Sequence, residues 1–149
     1  EEAFAELMNE KARQLGLSNT HFTNVTGLFD KNHYTTAADL AVILKAAMDN
    51  PVCRQVLSTH PYTTAKTEQH PNGILLKSTL FSSMYGTEPE TATIVGGKTG
   101  YVNESGYCIA SFGNANDTKN QYLCVTLDAK GGKWPAINDQ IALYKTYAK

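Results

Sequence analysis

Thr93-Ile94-Val95-Gly96-Gly97-Lys98-Thr99-Gly100-Tyr101 sets a β-branched apolar run against paired glycines, a cation, a hydroxyl and a third glycine. Ile94 and Val95 favour a strand. The glycines leave one side of that strand bare, so a ligand or a neighbouring backbone can come close. Lys98 and Thr99 are adjacent, and on a strand their side chains point to opposite faces. A site that uses both therefore requires the strand end to twist at Gly100, where it could hold an extended, anionic ligand. The letters also overlap the phosphate-binding pattern G-x-x-x-x-G-K-[ST]. That pattern fails twice. Ala92 stands where its first glycine belongs, and residues 101–106 read as a turn, not as the helix whose N-terminus carries the phosphate.

Outward from this stretch, residues 92–98 form one predicted strand and residues 106–112 a second. Tyr107, Ile109 and Ser111 fall on one face of the second strand, and Cys108, Ala110 and Phe112 on the other. Residues 113–120 are a polar hairpin loop, and residues 121–128 a third strand. Three strands with short links imply an antiparallel sheet. Gly131-Gly132 breaks the pattern. Pro135 then opens a closing helix with Ile137, Ile141 and Tyr144 at helical spacing and Trp134 as its expected core anchor.

Toward the N-terminus, residues 2–15 read as an amphipathic helix ended by Gly16, its stripe of Phe4, Leu7, Met8, Ala12 and Leu15 expected in the core. Residues 18–33 are a loop carrying His21 and His33 as expected surface residues. Thr36 caps a second helix through the amide of Asp39, with Ala37, Leu40, Ala41, Leu44, Ala47 and Met48 as its buried stripe. Asn50 and Pro51 end it and start a short helix that Val52, Val56 and Leu57 would dock. Residues 62–65 read as a short strand, 66–73 as a turn, 74–76 as apolar without a definite state, and 82–90 as loop. Helices, then a meander, then a closing helix make an α+β chain, an antiparallel sheet flanked by helices.

The 149 residues suffice for one domain and one core. A formal net charge of −1 gives no reason to expect nucleic acid or an anionic membrane as partner. No apolar run approaches the ~20 residues of a membrane span. Cys53, Cys108 and Cys124 lack metal-ligand spacing, so no metal or other cofactor is implied. Buried free thiols are expected; a Cys108–Cys124 bridge between neighbouring strands stays open. The chain begins on Glu1-Glu2-Ala3-Phe4, already inside a helical pattern, and reads as a cut end.

Gly97-Lys98-Thr99-Gly100-Tyr101, followed by Gly106-Tyr107 and an apolar strand, resembles the D-alanyl-D-alanine carboxypeptidases, the low-molecular-mass penicillin-binding serine peptidases. Met8-Asn9-x-Lys11-Ala12-x-x-Leu15-Gly16, Thr20-x-Phe22-x-Asn24 with Gly27-Leu28, and Tyr34-Thr35-Thr36-Ala37-x-Asp39-Leu40-Ala41 are similar to stretches of the same family. The resemblance covers nearly the whole chain and is weakest over residues 63–91. It implies a β-lactamase/transpeptidase-like fold in which Lys-Thr-Gly lies on a sheet-edge strand beside the active site. It implies Lys98 as the catalytic cation, Thr99 as ligand of a terminal carboxylate, the Tyr101 backbone N–H as an oxyanion donor, and Gly97 and Gly100 as the open edge for a peptide. Some members carry an arginine past the last strand; here that stretch is Lys130-Gly131-Gly132-Lys133-Trp134-Pro135, in which Lys133 is expected to be a surface residue.

The family's other two motifs, Ser-x-x-Lys and Ser-x-Asn, do not occur in the sequence. The resemblance then implies that residues 1–149 are the C-terminal portion of the catalytic domain. The expected activity of the complete protein is removal of the terminal D-alanine of peptidoglycan stem peptides through an acyl-enzyme, with no turnover by this chain alone. The implied partners are the stem peptide, β-lactam antibiotics, and the missing N-terminal part or a second copy. The implied location is the outer face of the bacterial envelope. A serine β-lactamase fragment and a non-catalytic cell-wall peptide-binding module are the alternatives.

Overall fold

A computed structural model describes all residues, Glu1–Lys149. The elements run α1 (Glu2–Gln14), α2 (Ala37–Asp49), α3 (Pro51–Ser58), β1 (Pro61–Thr63), β2 (Leu75–Lys77), α4 (Thr79–Met84), β3 (Ala92–Val102), β4 (Gly106–Ala115), β5 (Gln121–Ala129) and α5 (Lys133–Tyr147). β3, β4 and β5 form an antiparallel sheet in that order, and β1 pairs with β2 in a separate two-stranded ribbon. The α+β expectation holds. Residues 82–90 are not all loop, because α4 reaches Met84. Its Leu80 and Met84 lie one helical turn apart and are both buried, so packing fixes a segment whose serines and threonines favour helix only weakly.

The sheet carries helices on both faces. Ile109, Cys124, Ile137, Ile141 and Tyr144 join Leu80 and Met84 in the core between the sheet and α5. On the other face the fully buried Phe112 meets Leu44 and Met48 of α2, with Leu57 of α3 against them. The alternation expected along β4 is therefore met, Ile109 and Ser111 facing α5, Phe112 facing α2. Between the layers Ser111 Oγ donates to Gln140 Oε1 at 2.6 Å and lies 3.0 Å from the Tyr144 hydroxyl. Gln140 Nε2 donates to Thr126 Oγ1 at 3.0 Å. These buried polar groups satisfy one another, which removes the cost of burying each alone.

Both predicted caps form. Thr36 Oγ1 accepts the Asp39 N–H at 3.1 Å, and Asn50 Oδ1 accepts those of Val52 and Cys53 at 3.0 and 3.1 Å. Several stripe assignments fail. Phe4 and Leu7 are 60% and 59% exposed, and the buried face of α1 is Ala5, Asn9 and Ala12, again at helical spacing. Ala37 is exposed, and so are Val52 and Val56, leaving only Leu57 to dock α3. Trp134 is 52% exposed with the Lys133 ammonium 4.8 Å above its ring, so α5 is anchored by Ile137 and Tyr144 instead. The cysteines are free thiols. Cys53 is exposed, Cys108 half-buried, and only Cys124 buried as expected. Cys124 pairs with Ser111 on the α5 face, out of register with Cys108. His33 is half-buried, its Nδ1 accepting the Thr23 N–H at 3.2 Å.

Candidate functional site

β3 is an edge strand, hydrogen-bonded on one side to β4 and free on the other. It runs unbroken past Gly100 to Val102, and Gly100 pairs with Cys108 in regular register. No register break occurs at Gly100. The irregularity lies upstream, where Ile94 pairs with Gly113 and Gly96 with Phe112, so that Val95 is an extra residue. An extra residue flips every later side chain to the other face. Thr99 consequently pairs with Ile109 and Tyr101 with Tyr107 on the α5 face, while Lys98 pairs with Ala110 on the opposite face. Without the bulge, Lys98 and Thr99 would exchange places.

The glycines divide the two roles foreseen for them. A Cβ on Gly96 would stand 2.5 Å from the Phe112 ring and 2.7 Å from the Leu57 carbonyl. One on Gly97 would stand 2.5 Å from the Ala110 carbonyl and 2.8 Å from Leu80. Both are buried and admit neighbouring core, not ligand. At Gly97 the missing side chain makes room for Leu80 and the Ala110 carbonyl. A Cβ on Gly100 meets nothing within 4 Å, and this glycine alone keeps the edge clear.

A cavity of about 540 Å³ opens along this edge. Its floor is Lys98, Thr99, Gly100 and Tyr101. One wall comes from the end of β2 and from α4, with Lys77, Thr79, Ser82 and Ser83. The other comes from the start of β4 and the first turn of α5, with Tyr107, Cys108, Lys133 and Ile137 among its residues. Thr79 and Thr99 share a hydrogen bond between hydroxyls, tying the first wall to the floor. Tyr101 and Tyr107 pack ring to ring at 4.3 Å between centroids. Lys98, on the far face, reaches the same cavity and donates to the Thr99 carbonyl through its flexible stem. Lys133 is thus a groove residue as well as an exposed one. No cluster of His, Cys, Asp and Glu could hold a metal ion.

The groove accordingly joins an anion-attracting cation, a hydroxyl and free strand edge. Lys77, Thr79, Ser82, Ser83, Tyr107, Cys108, Ile109 and Lys133 were not foreseen as a group. Only the resemblance around Gly106-Tyr107 and the departure at Lys133 pointed near them, because their convergence is set by tertiary packing.

The sequence matches the D-alanyl-D-alanine carboxypeptidase family of peptidases over residues 1–131. The chain belongs to that family. It is 31% identical over 111 residues to the D-alanyl-D-alanine carboxypeptidase DacF of Bacillus subtilis, an alignment covering 74% of this chain and 27% of that protein. It is 33% identical over 119 residues to DacA of Haemophilus influenzae, covering 78% and 27%. The fold is similar to that of the Streptomyces K15 DD-transpeptidase, with a TM-score of 0.75 at 29% identity, over 96% of this chain and 53% of the other. The chain thus spans about a quarter of the length of these curated relatives. No helix is long and apolar enough to cross a membrane.

Proposed function

We propose that the chain forms the Lys-Thr-Gly wall of a serine-type D-Ala-D-Ala carboxypeptidase that trims peptidoglycan stem peptides at the outer face of the bacterial envelope. The observation that carries this reading is the convergence of Lys98, Thr99 and an open strand edge at Gly100 on one groove. In the reaction a serine oxygen attacks the carbonyl carbon of the penultimate D-alanine. The peptide C–N bond breaks, the leaving D-alanine takes up a proton, and water then hydrolyses the ester. Thr99 donates a hydrogen bond to the terminal carboxylate, and Lys98 and Lys133 add positive charge beside it. The Tyr101 backbone N–H stabilises the oxyanion, a contribution worth ~10²–10³ in rate. Since it acts through the backbone, the Tyr101 ring is dispensable for that step.

The attacking serine with its lysine, and the Ser-x-Asn element, belong in this proposal to a part of the domain outside residues 1–149. The names of the relatives favour this reading over a β-lactamase or a binding module that never had the serine. β-Lactams are ligands of the same groove in the complete domain.

The test is an NMR titration of the chain with N-acetyl-D-Ala-D-Ala and with its C-terminal amide. Shifts are expected at Lys98, Thr99, Gly100 and Tyr101, with the acid binding about ten-fold more tightly than the amide, as loss of a charge-assisted hydrogen bond implies. Thr99→Val should remove most of that difference. Equal binding of acid and amide, or shifts elsewhere, refutes the proposal. D-Alanine release by the 149-residue chain alone should be nil, and measurable release would show that the nucleophile had been misplaced.

A further inference from the structure

Two hydroxyls in the groove bond to each other and not to backbone. Thr79 Oγ1 and Thr99 Oγ1 lie 2.5 Å apart, and either can donate. Both residues line the cavity. Elsewhere, threonines at the ends of helices turn their hydroxyls onto the preceding turn. Thr59 donates to the Gln55 carbonyl at 2.7 Å and Thr146 to the Ala142 carbonyl at 2.8 Å. Thr79 is the first residue of α4, so no helical carbonyl lies one turn before it. Its hydroxyl is left to point into the groove.

The Thr79 backbone is fixed on both sides. Ser78 donates its N–H to the His60 carbonyl at 2.8 Å. Leu80 is fully buried against Gly97, where a Cβ would stand 2.8 Å from its Cδ2. Phe81 stacks on the His60 ring. The bare backbone at Gly97 thus lets α4 come close to β3, two residues before Thr99, and brings the two hydroxyls together. These contacts hold α4 without help from the hydroxyl pair. The β-branch of Thr79 stiffens its own χ1 as well.

Resting on the function proposed above, we infer that Thr79 is a positioning residue: it donates to Thr99 Oγ1 and so leaves the Thr99 proton directed at the terminal carboxylate of the substrate. A hydroxyl carries one proton and can accept through its lone pairs, whereas an ionised carboxylate only accepts. Once Thr99 gives its proton to the carboxylate, the proton between the two threonines must come from Thr79. The ligand's charge therefore sets the direction of the pair. Donation from Thr79 polarises Thr99 Oγ1 and strengthens the bond that Thr99 makes in turn. It also holds the Thr99 side chain in one rotamer before the ligand arrives, so less freedom is lost on binding. The Lys98-Thr99-Gly100 motif does not contain this partner, which lies twenty positions earlier in the chain.

The test repeats the titrations with N-acetyl-D-Ala-D-Ala and its C-terminal amide on Thr79→Val and Thr79→Ser. It also reads the Thr99 χ1 rotamer from three-bond couplings in the ligand-free chains. Valine keeps the shape of threonine and lacks the hydroxyl. Thr79→Val should weaken binding of the acid about five-fold, the scale of one lost hydrogen bond, and that of the amide by less than about two-fold. Its Thr99 couplings should average over rotamers. Thr79→Ser, which keeps the hydroxyl, should bring back the preference for the acid and the single Thr99 rotamer. A full acid preference in Thr79→Val overturns the inference while the proposed function stands. So does a loss that Thr79→Ser fails to restore, or one that extends to the amide and to the β4 shifts, because the role is then packing. Weakened acid binding with the Thr99 rotamer unmoved also overturns it, and puts Thr79 itself on the carboxylate. Equal binding of acid and amide by the unmodified chain sinks the proposed function together with this inference.

Discussion

Residues 92–149 and residues 1–36 of the same chain hold their shapes by different means. The C-terminal block is a sheet with α5 packed on one face, and its Phe112, Ala115, Ile137 and Tyr144 are almost wholly buried. The N-terminal stretch is held by side chains that bond to backbone. Asn9 Oδ1 accepts the Phe22 N–H at 2.7 Å, and its Nδ2 donates to the Phe22 carbonyl at 2.8 Å. Asp39 Oδ2 accepts from the Asn19 N–H and the Thr20 hydroxyl at 3.1 and 2.7 Å. Asn24 Oδ1 takes the N–H groups of Thr26 and Gly27. The residues that carry the family resemblance there are thus bracing for a long loop, not chemistry. Buried area stabilises the first region, and directed polar bonds stabilise the second.

The sharpest way to break this contrast is to delete an aromatic ring in each region. Phe112→Ala empties the contact between β4, α2 and α3 and should cost ~3–5 kcal/mol. Phe4→Ala removes a ring that is 60% exposed and should shift stability by no more than about 0.5 kcal/mol. Urea denaturation followed by circular dichroism measures both. Similar losses would mean that the apolar face of α1 is covered in solution, as self-association of the chain through its exposed apolar residues would do. Light scattering distinguishes that case.

Much of the fold was legible where its signals are local or periodic. Three strands, their facing residues, the Thr36 and Asn50 caps and the closing helix all follow from spacing and from side chains that bond to their own backbone. In α1 the periodicity marked a helix but not the buried side. Ala5, Asn9 and Ala12 form a face as regular as Phe4, Leu7 and Met8, and the packing selects the smaller, more polar one. Hydrophobicity alone identifies an apolar face without saying what covers it. The Val95 bulge was invisible for another reason. It sits beside Gly96, where an added Cβ would meet the Phe112 ring and the Leu57 carbonyl, the latter from a helix almost forty positions earlier. The motif Lys98-Thr99-Gly100 was legible, but the arrangement that aims Thr99 into the groove was not.

A smaller effect sharpens the comparison from the polar side. Asn9→Ala leaves both the N–H and the carbonyl of Phe22 without their partner and should cost about 1–3 kcal/mol. The loss should be local. Amide hydrogen exchange should accelerate through residues 18–35, where the loop is braced, and change little in β4, where protection reports the sheet. A uniform acceleration across β4 would show that the loop and the sheet unfold as one unit.

The gentlest probe is pH, because the two regions should fail in opposite directions. Burial raises the Cys124 thiol from its ordinary 9.0 to about 11, and also raises the Tyr144 hydroxyl above its ordinary 10.0. Both are acids held neutral by the fold. Above pH 9 the unfolded chain releases these protons before the folded chain does, so the stability of the block falls as pH rises through 9 toward 11. His33 moves the other way. Burial lowers it from 6.5, partly opposed by the charge of Asp30. Below pH 6.5 the unfolded chain takes up the proton first, so the neutral ring's contribution is lost as pH falls. Protonation also removes the Nδ1 acceptor that holds the Thr23 N–H. Thermal melts from pH 8 to 11 should therefore show a decline that is shallower in Cys124→Ala, and amide shifts of residues 21–34 should move between pH 7 and 5 while those of β4 stay fixed. An alkaline slope unchanged in Cys124→Ala and in Tyr144→Phe would remove the buried acids as its cause. Acid-induced shifts reaching β4 would mean that the polar bracing and the packed sheet are not separate supports.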